Sequence, residues 1–221
     1  MLLIFDIDGT LLEVDEARAF RRVFREQYGY VPEFYWEGCR PATDVGITRH
    51  VLSQFLGREA SIAEVQSLLD RFVVHLDEMT RTGVLAVREV EGASSFLDRL
   101  RRAGVPTAVA TGCIEPSARL KLARAGLDGF FACGAFCRGT EERSQILMSA
   151  VQAAAKHYEQ LFSPSEVVYF GDGLWDVEAA SEVGMRFVGV APTPEREQAL
   201  RGAGATTIIR SYLEPLPVEL P

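Results

Sequence analysis

The chain has 221 residues, 48% hydrophobic and 24% charged, which suits one well-packed core or a core carrying a smaller inserted module. Asp and Glu outnumber Lys and Arg by 31 to 23, and no basic block stands free of acids, so nucleic acid is not an expected partner and an anionic substrate needs a local cationic pocket. No apolar stretch approaches the roughly 20 residues of a membrane helix, and the N-terminus lacks the basic region and cleavage site of a signal peptide, so no membrane is expected as partner and the expected location is the cytoplasm.

In chain order, the first element is LLIFDID at residues 2–8, a short apolar run of the buried-strand type. Residues 14–83 then read as consecutive helices, VDEARAFRRVFREQYG (14–29), TDVGITRHVLSQFLG (43–57) and SIAEVQSLLDRFVVHLDEMTRTG (61–83), with no strand signal between them. Thr43 or Asp44 is the expected N-cap of the second, and Ser61 with Glu64 forms a capping box for the third. Beyond Gly83 the rhythm changes. Apolar runs at 105–111 (VPTAVAT), 129–136 (GFFACGAF), 167–172 (VVYFGD) and 186–192 (RFVGVAP) alternate with helical patterns at 91–104, 115–126, 143–162 and 174–184, and TTIIRS (206–211) is a candidate edge strand. Such alternation predicts an α/β fold, a mostly parallel sheet with helices on both faces, interrupted after its first strand by a helical module.

Ligands of such sheets bind at the carboxyl ends of the strands, and four of the runs end there in reactive groups. The first ends in Asp6-Ile7-Asp8. A strand period of two turns both carboxylates to one side and Ile7 to the core, and Gly9 allows a sharp turn before Thr10. The second ends at Thr111 and Gly112, with Pro116 where a helix starts, so a hydroxyl and backbone N–H groups at a helix N-terminus are expected to form an anion site. The third leads to Arg143 at a helix start, and the fourth ends in GDGLWD with Asp172 and, one turn on, Asp176. If the tips converge, each pair of carboxylates about 4 Å apart repels by roughly 4 kcal/mol at an effective dielectric near 20, so the cluster asks for a cation. An oxygen-only donor set without His or Cys favours a hard ion, Mg²⁺. Cys39, Cys113, Cys133 and Cys137 lack zinc-site spacing and are expected to be buried thiols, and His50, His75 and His157 have no catalytic partner by spacing. Trp175 is expected to pack beneath the site.

The ordered set DIDGT, VATG, a basic residue before a helix and GDGLWD resembles the haloacid dehalogenase superfamily of hydrolases over the whole chain, and the insert resembles that family's small helical cap. The resemblance implies a Rossmann-like core (1–13 and 84–221) with a cap (14–83), and a Mg²⁺-dependent phosphatase acting on a small phosphorylated metabolite. It implies Asp6 as nucleophile, Asp8 as general acid and base, and Thr111 and Gly112 as phosphoryl binders. The metal would be held by Asp6, the Asp8 carbonyl and Asp172, with Asp176 behind them. The family's usual lysine is aligned with Arg143, since Lys121 and Lys156 read as solvent-facing, and the cap loop makes Arg40 a candidate substrate contact. A phosphomutase of the β-phosphoglucomutase type shares every core motif and is the alternative. A 2-haloacid dehalogenase is disfavoured because it needs neither Asp8 nor a metal. A phospho-receiver domain is disfavoured because its acceptor follows an internal strand.

Overall fold

The computed structural model describes residues 1–31, 33, 39, 41–139 and 142–215. Its elements run β1 (Leu2–Phe5), β2 (Leu12–Glu13), α1 (Ala17–Tyr28), α2 (Asp44–Leu56), α3 (Ile62–Arg81), β3 (Arg88–Glu89), α4 (Ala93–Arg102), β4 (Thr107–Ile114), α5 (Glu115–Arg124), β5 (Gly134–Cys137), α6 (Arg143–Tyr158), β6 (Val167–Gly171), α7 (Leu174–Glu182), β7 (Arg186–Val190), α8 (Pro194–Gly202) and β8 (Ile208–Ile209). Among the described residues, six strands pair in parallel in the order β5-β4-β1-β6-β7-β8, so β1, which leads into the paired aspartates, lies inside the sheet.

Alternation along β1 divides the core. Leu2 and Ile4 face a cluster that includes Ile146, Leu147 and Ala150 of α6 and the insert's Phe20 and Phe72. Leu3 and Phe5 face a second cluster with Phe96, Leu97 and Leu100 of α4 and Leu122 of α5. There Phe5 stacks on Phe170 with ring centroids 4.8 Å apart. The sheet is thus covered on both faces, as the alternation predicts.

Between β2 and β3, which pair antiparallel, the chain leaves the core and returns. The intervening α1, α2 and α3 share a core in which Phe20 and Phe72 stack at 3.8 Å. Ser61 and Glu64 form the predicted capping box, and Thr43 rather than Asp44 is the N-cap of α2, its hydroxyl accepting from the Gly46 N–H. That choice leaves the Asp44 carboxylate for another partner.

Two boundaries differ from the sequence expectation. The run at 129–136 is not one strand: Asp128–Phe130 is a 3-10 turn, and pairing begins only at Gly134. Its apolar residues serve a turn packed on the sheet's face as well as the strand, and a hydropathy run cannot tell these apart. Strand β4 continues past Gly112 to Ile114, with a register irregularity against β5 after Thr111. No described helix is long and apolar enough to cross a membrane.

Candidate active site

A cavity of about 590 Å³ opens at the carboxyl ends of β1, β4 and β6, between the sheet and the insert. Asp6, Asp8, Thr111, Gly112, Arg143 and Asp172 all line it. The backbone after β1 turns at once, with the Leu11 and Leu12 N–H groups bonding to the Ile7 carbonyl and the Gly9 N–H to the Leu12 carbonyl. Ile7 is fully buried and points away from the two carboxylates, as the strand period requires. Gly9 has φ +71°, and a Cβ there would run into the Asp172 carboxylate, so this turn combines a left-handed conformation with a close approach that only glycine permits.

Asp6 lies 95% buried on the cavity floor. Its Oδ2 is 3.0 Å from Nη2 of Arg143, and its Oδ1 has no hydrogen-bond partner. Arg143, the first residue of α6, also bonds Asp176 Oδ1 through Nη2 (2.5 Å) and Nε (3.2 Å) and reaches the Tyr169 hydroxyl at 3.2 Å. Tyr169 donates to the same Asp176 oxygen at 2.7 Å, while Asp176 Oδ2 accepts the Gly173 N–H at 3.0 Å. Both oxygens of Asp176 are therefore engaged, and Arg143 lies between Asp176 and Asp6. Asp172 is contacted by the Thr10 hydroxyl at 3.5 Å and by Arg196 of α8 at 3.3 Å.

Burial, with the neighbouring Asp176 and Asp8 charges against a smaller opposing pull from Arg143, pushes Asp6 up to about 6. Burial and the Asp176 charge hold Asp172 well above the usual carboxylate range. One oxygen from each of Asp6, Asp172 and Asp176 falls within 4.8 Å of the others. An orphaned buried carboxylate oxygen in an all-oxygen donor set fits a small hard cation such as Mg²⁺. Metal and proton then compete for the same carboxylates. Mg²⁺ should bind at least about tenfold more tightly at pH 8 than at pH 5, where a carboxyl titrating at about 6 is mostly protonated, and binding should release protons. Isothermal titration in buffers of different ionisation enthalpy checks both; equal affinity at the two pH values would exclude Asp6 as a ligand.

The region around Thr111 differs from expectation. Because β4 runs on, Thr111 and Gly112 are strand residues, and α5 begins three residues later. The α5 N-terminus is already occupied: Asp44 of the insert accepts the Ile114 N–H at 2.9 Å and the Ser117 hydroxyl at 3.1 Å. The expected helix-terminal anion site is thus filled by a carboxylate of the protein itself. Thr111 and Gly112 still line the cavity, and a Cβ on Gly112 would meet Arg143 and the backbone of Ala42 and Thr43, so glycine lets the insert approach the sheet here.

The reading of Lys121 as solvent-facing is overturned. Lys121 is completely buried, with Nζ 2.5 Å from Asp8 Oδ2 and 2.6 Å from Glu16 Oε2. The available signal was its place in α5: with Ser117, Ala118 and Leu122 it falls on the buried stripe at helical spacing. Cys113, read as an ordinary buried thiol, also touches this group, and Glu16, Tyr169 and Arg196 carried no sequence signal. Lys156 and His157 are exposed, and His75 pairs with Glu26 on the insert. The four cysteines are buried and form no disulfide. Trp175 is half-buried and lines the cavity, with its ring against Gly173. Arg40 lies outside the described residues.

Comparison with known proteins bears on the family and the fold. The haloacid dehalogenase-like hydrolase family matches residues 1–184. A solved hydrolase of that family from Entamoeba histolytica superposes with a TM-score of 0.75 at 16% identity, covering 98% of this chain and 95% of that one. A structure described as a predicted phosphoglycolate phosphatase from Haemophilus somnus superposes with a TM-score of 0.64 at 16% identity, covering 95% and 93%. Among curated proteins, the tyrosine-protein kinase PtkA of Mycobacterium tuberculosis is 30% identical over 185 residues, 83% of this chain but 60% of that protein's length.

Proposed function

The chain belongs to the haloacid dehalogenase-like hydrolases, and from that membership we propose that it is a Mg²⁺-dependent phosphomonoesterase acting on a small organic phosphate through an aspartyl-phosphate. The observation that carries this reading is Asp6, buried on the cavity floor and held by Arg143 on one oxygen, with Asp8 beside it. The Asp6 carboxylate attacks phosphorus, and the bond to the leaving alcohol oxygen breaks as Asp8 gives that oxygen a proton. Asp8, now a carboxylate, takes a proton from the water that attacks the phosphorus of the aspartyl-phosphate, which returns Asp6 and frees inorganic phosphate. Arg143 keeps Asp6 aimed and offers positive charge beside the transferring group. When bound, Mg²⁺ held by Asp6, Asp172 and the Asp8 main chain supplies charge compensation for the phosphoryl oxygens.

The insert acts as a cap. Its Ala42, Thr43, Asp44 and Ile47 form one wall of the cavity, which sets them over the strand tips where the organic part of a substrate would lie. Closure there excludes water from the aspartyl-phosphate and governs selectivity.

Purified protein should hydrolyse p-nitrophenyl phosphate with Mg²⁺ and stop when EDTA removes the metal. A panel of phosphorylated metabolites read for free phosphate then identifies the substrate class. Phosphate that appears only with a sugar bisphosphate activator would favour the phosphomutase reading instead. Transfer to tyrosine from a nucleotide, without phosphate release from any metabolite, would refute the phosphatase reading.

A further inference from the structure

The residues assigned to phosphoryl transfer account for only part of the cavity. Its volume of about 590 Å³ falls in the range that holds a drug-sized ligand, so a phosphoryl group with a two-carbon tail would leave much of it to water. Away from the floor, the described wall is largely apolar. Ala42 and Ile47 of the insert line it, as do Val84, Leu85 and Ala86 on the stretch that returns from α3 to β3, and Trp175 joins them from α7. Val84 is exposed there, and its carbonyl accepts a hydrogen bond of 3.2 Å from Arg18. Much of the polar surface among these residues is engaged within the protein. Glu16 pairs with Lys121, Asp44 accepts from the start of α5, and Arg196 pairs with Asp172. The exposed charges that line the cavity, Glu13, Asp15, Arg18 and Arg88, are two acids and two bases, and Glu13 stands opposite Arg88 in the β2–β3 pair. Together they present no net charge to draw a second phosphate or a carboxylate.

We propose that this wall is the subsite for the organic half of the substrate and that it takes an apolar, ring-bearing group, so that the substrate class is a phosphate monoester of an aryl or arylalkyl alcohol rather than of a sugar or an acid. The substrate class rests on the phosphomonoesterase reading and deepens it. Ala42, Ile47 and Val84–Ala86 belong to the insert and its return to the core, whereas Asp6 lies on the cavity floor, so an ester held by its phosphorus at Asp6 directs its alcohol portion towards them. Sugar hydroxyls moved out of water against Ile47, Val84 and Leu85 would lose hydrogen bonds that this wall does not return. A hydrocarbon ring has no such bonds to lose, and it gains in proportion to the area it covers. The half-buried Trp175 adds an aromatic surface on which a second ring can pack.

The test holds the bond constant and varies the tail. 2-Phenylethyl phosphate, ethyl phosphate and glucose 6-phosphate all release a primary alcohol, so they differ in what the wall meets and not in the bond broken. With Mg²⁺, kcat/KM should be at least about 20-fold higher for 2-phenylethyl phosphate than for either of the others, as expected for one buried apolar group. An equal or higher value for ethyl phosphate or glucose 6-phosphate overturns the proposal. Val84→Asn, a change at an exposed position, should lower the ratio of 2-phenylethyl to ethyl phosphate at least about fivefold. Damage to the fold alone would lower both substrates alike, and an unchanged ratio overturns the wall assigned here. Phosphonates, which cannot be hydrolysed, separate this proposal from the phosphomonoesterase reading. In calorimetry with Mg²⁺, 3-phenylpropylphosphonate should bind wild-type protein at least about tenfold more tightly than propylphosphonate. If no ester is hydrolysed but this difference in binding is found, the phosphomonoesterase reading fails and the apolar subsite stands. Equal binding of the two phosphonates, or binding of neither, overturns the subsite.

Discussion

Asp6→Asn should lower kcat on p-nitrophenyl phosphate more than about 100-fold while leaving the fold intact. An amide does not attack phosphorus, and it removes the charge that a cation would meet. The variant should also be the more heat-resistant protein when Mg²⁺ is absent. Burial, first of all, pushes Asp6 in the folded chain up to about 6 from an ordinary 3.8, so the native state binds more protons than the unfolded state between those values. Stability therefore falls as pH rises through that window, and above about 6 the full penalty of the buried charge is present. Asn carries no such penalty, and Arg143 keeps Asp176 as its partner. Metal-free Asp6→Asn should melt above the metal-free wild type at pH 8, with the gap closing towards pH 4, and Mg²⁺ should raise the melting temperature of the wild type only. A variant retaining more than about a hundredth of wild-type kcat would remove Asp6 from the nucleophile's role.

Arg143→Ala should be the most damaging change at the site. Arg143 is 93% buried and stands between Asp6 and Asp176, and removing it leaves two carboxylates facing each other without the cation that both were paired with. Breaking a buried pair in this way typically costs about 3–5 kcal/mol, so the variant should melt well below the wild type, most of all without Mg²⁺. Activity should fall by about 10²–10³, the range for losing a single preorganised donor. Arg143→Lys should recover part of both losses. It restores the charge, but one ammonium cannot reproduce the guanidinium that reaches Asp176 through Nε and Nη2 and Asp6 through Nη2. Melting curves with and without Mg²⁺, alongside kcat for both variants, check these outcomes. An Arg143→Ala protein of unchanged stability and turnover would mean that the pairing seen here plays no part in catalysis.

How legible the site was depended on how local its determinants are. Asp6, Asp8, Asp172 and Asp176 could be picked out because each follows an apolar run within a few residues, and a parallel sheet brings the ends of such runs to one edge. Arg143 was legible for the same reason, since it opens the helix that follows a strand after a short connection. Lys121 was not. Its helix shows both an exposed and a buried face, and the residue types alone favour placing a lysine outside. Only the approach of Asp8 and Glu16, 113 and 105 residues away in sequence, makes an ammonium tolerable there.

The sequence by itself determined the parallel α/β architecture, the helical insert after the first strand and the acidic residues at the strand tips, because period, capping and turn chemistry are read within a few residues of one another. Tertiary structure alone decided where β4 gives way to α5, which carboxylate fills that helix's N-terminus, and that Lys121 is buried against Asp8 and Glu16. Those outcomes depend on contacts between segments remote in sequence, where the insert meets the core. Burial there turns ordinary charged residues into obligatory partners.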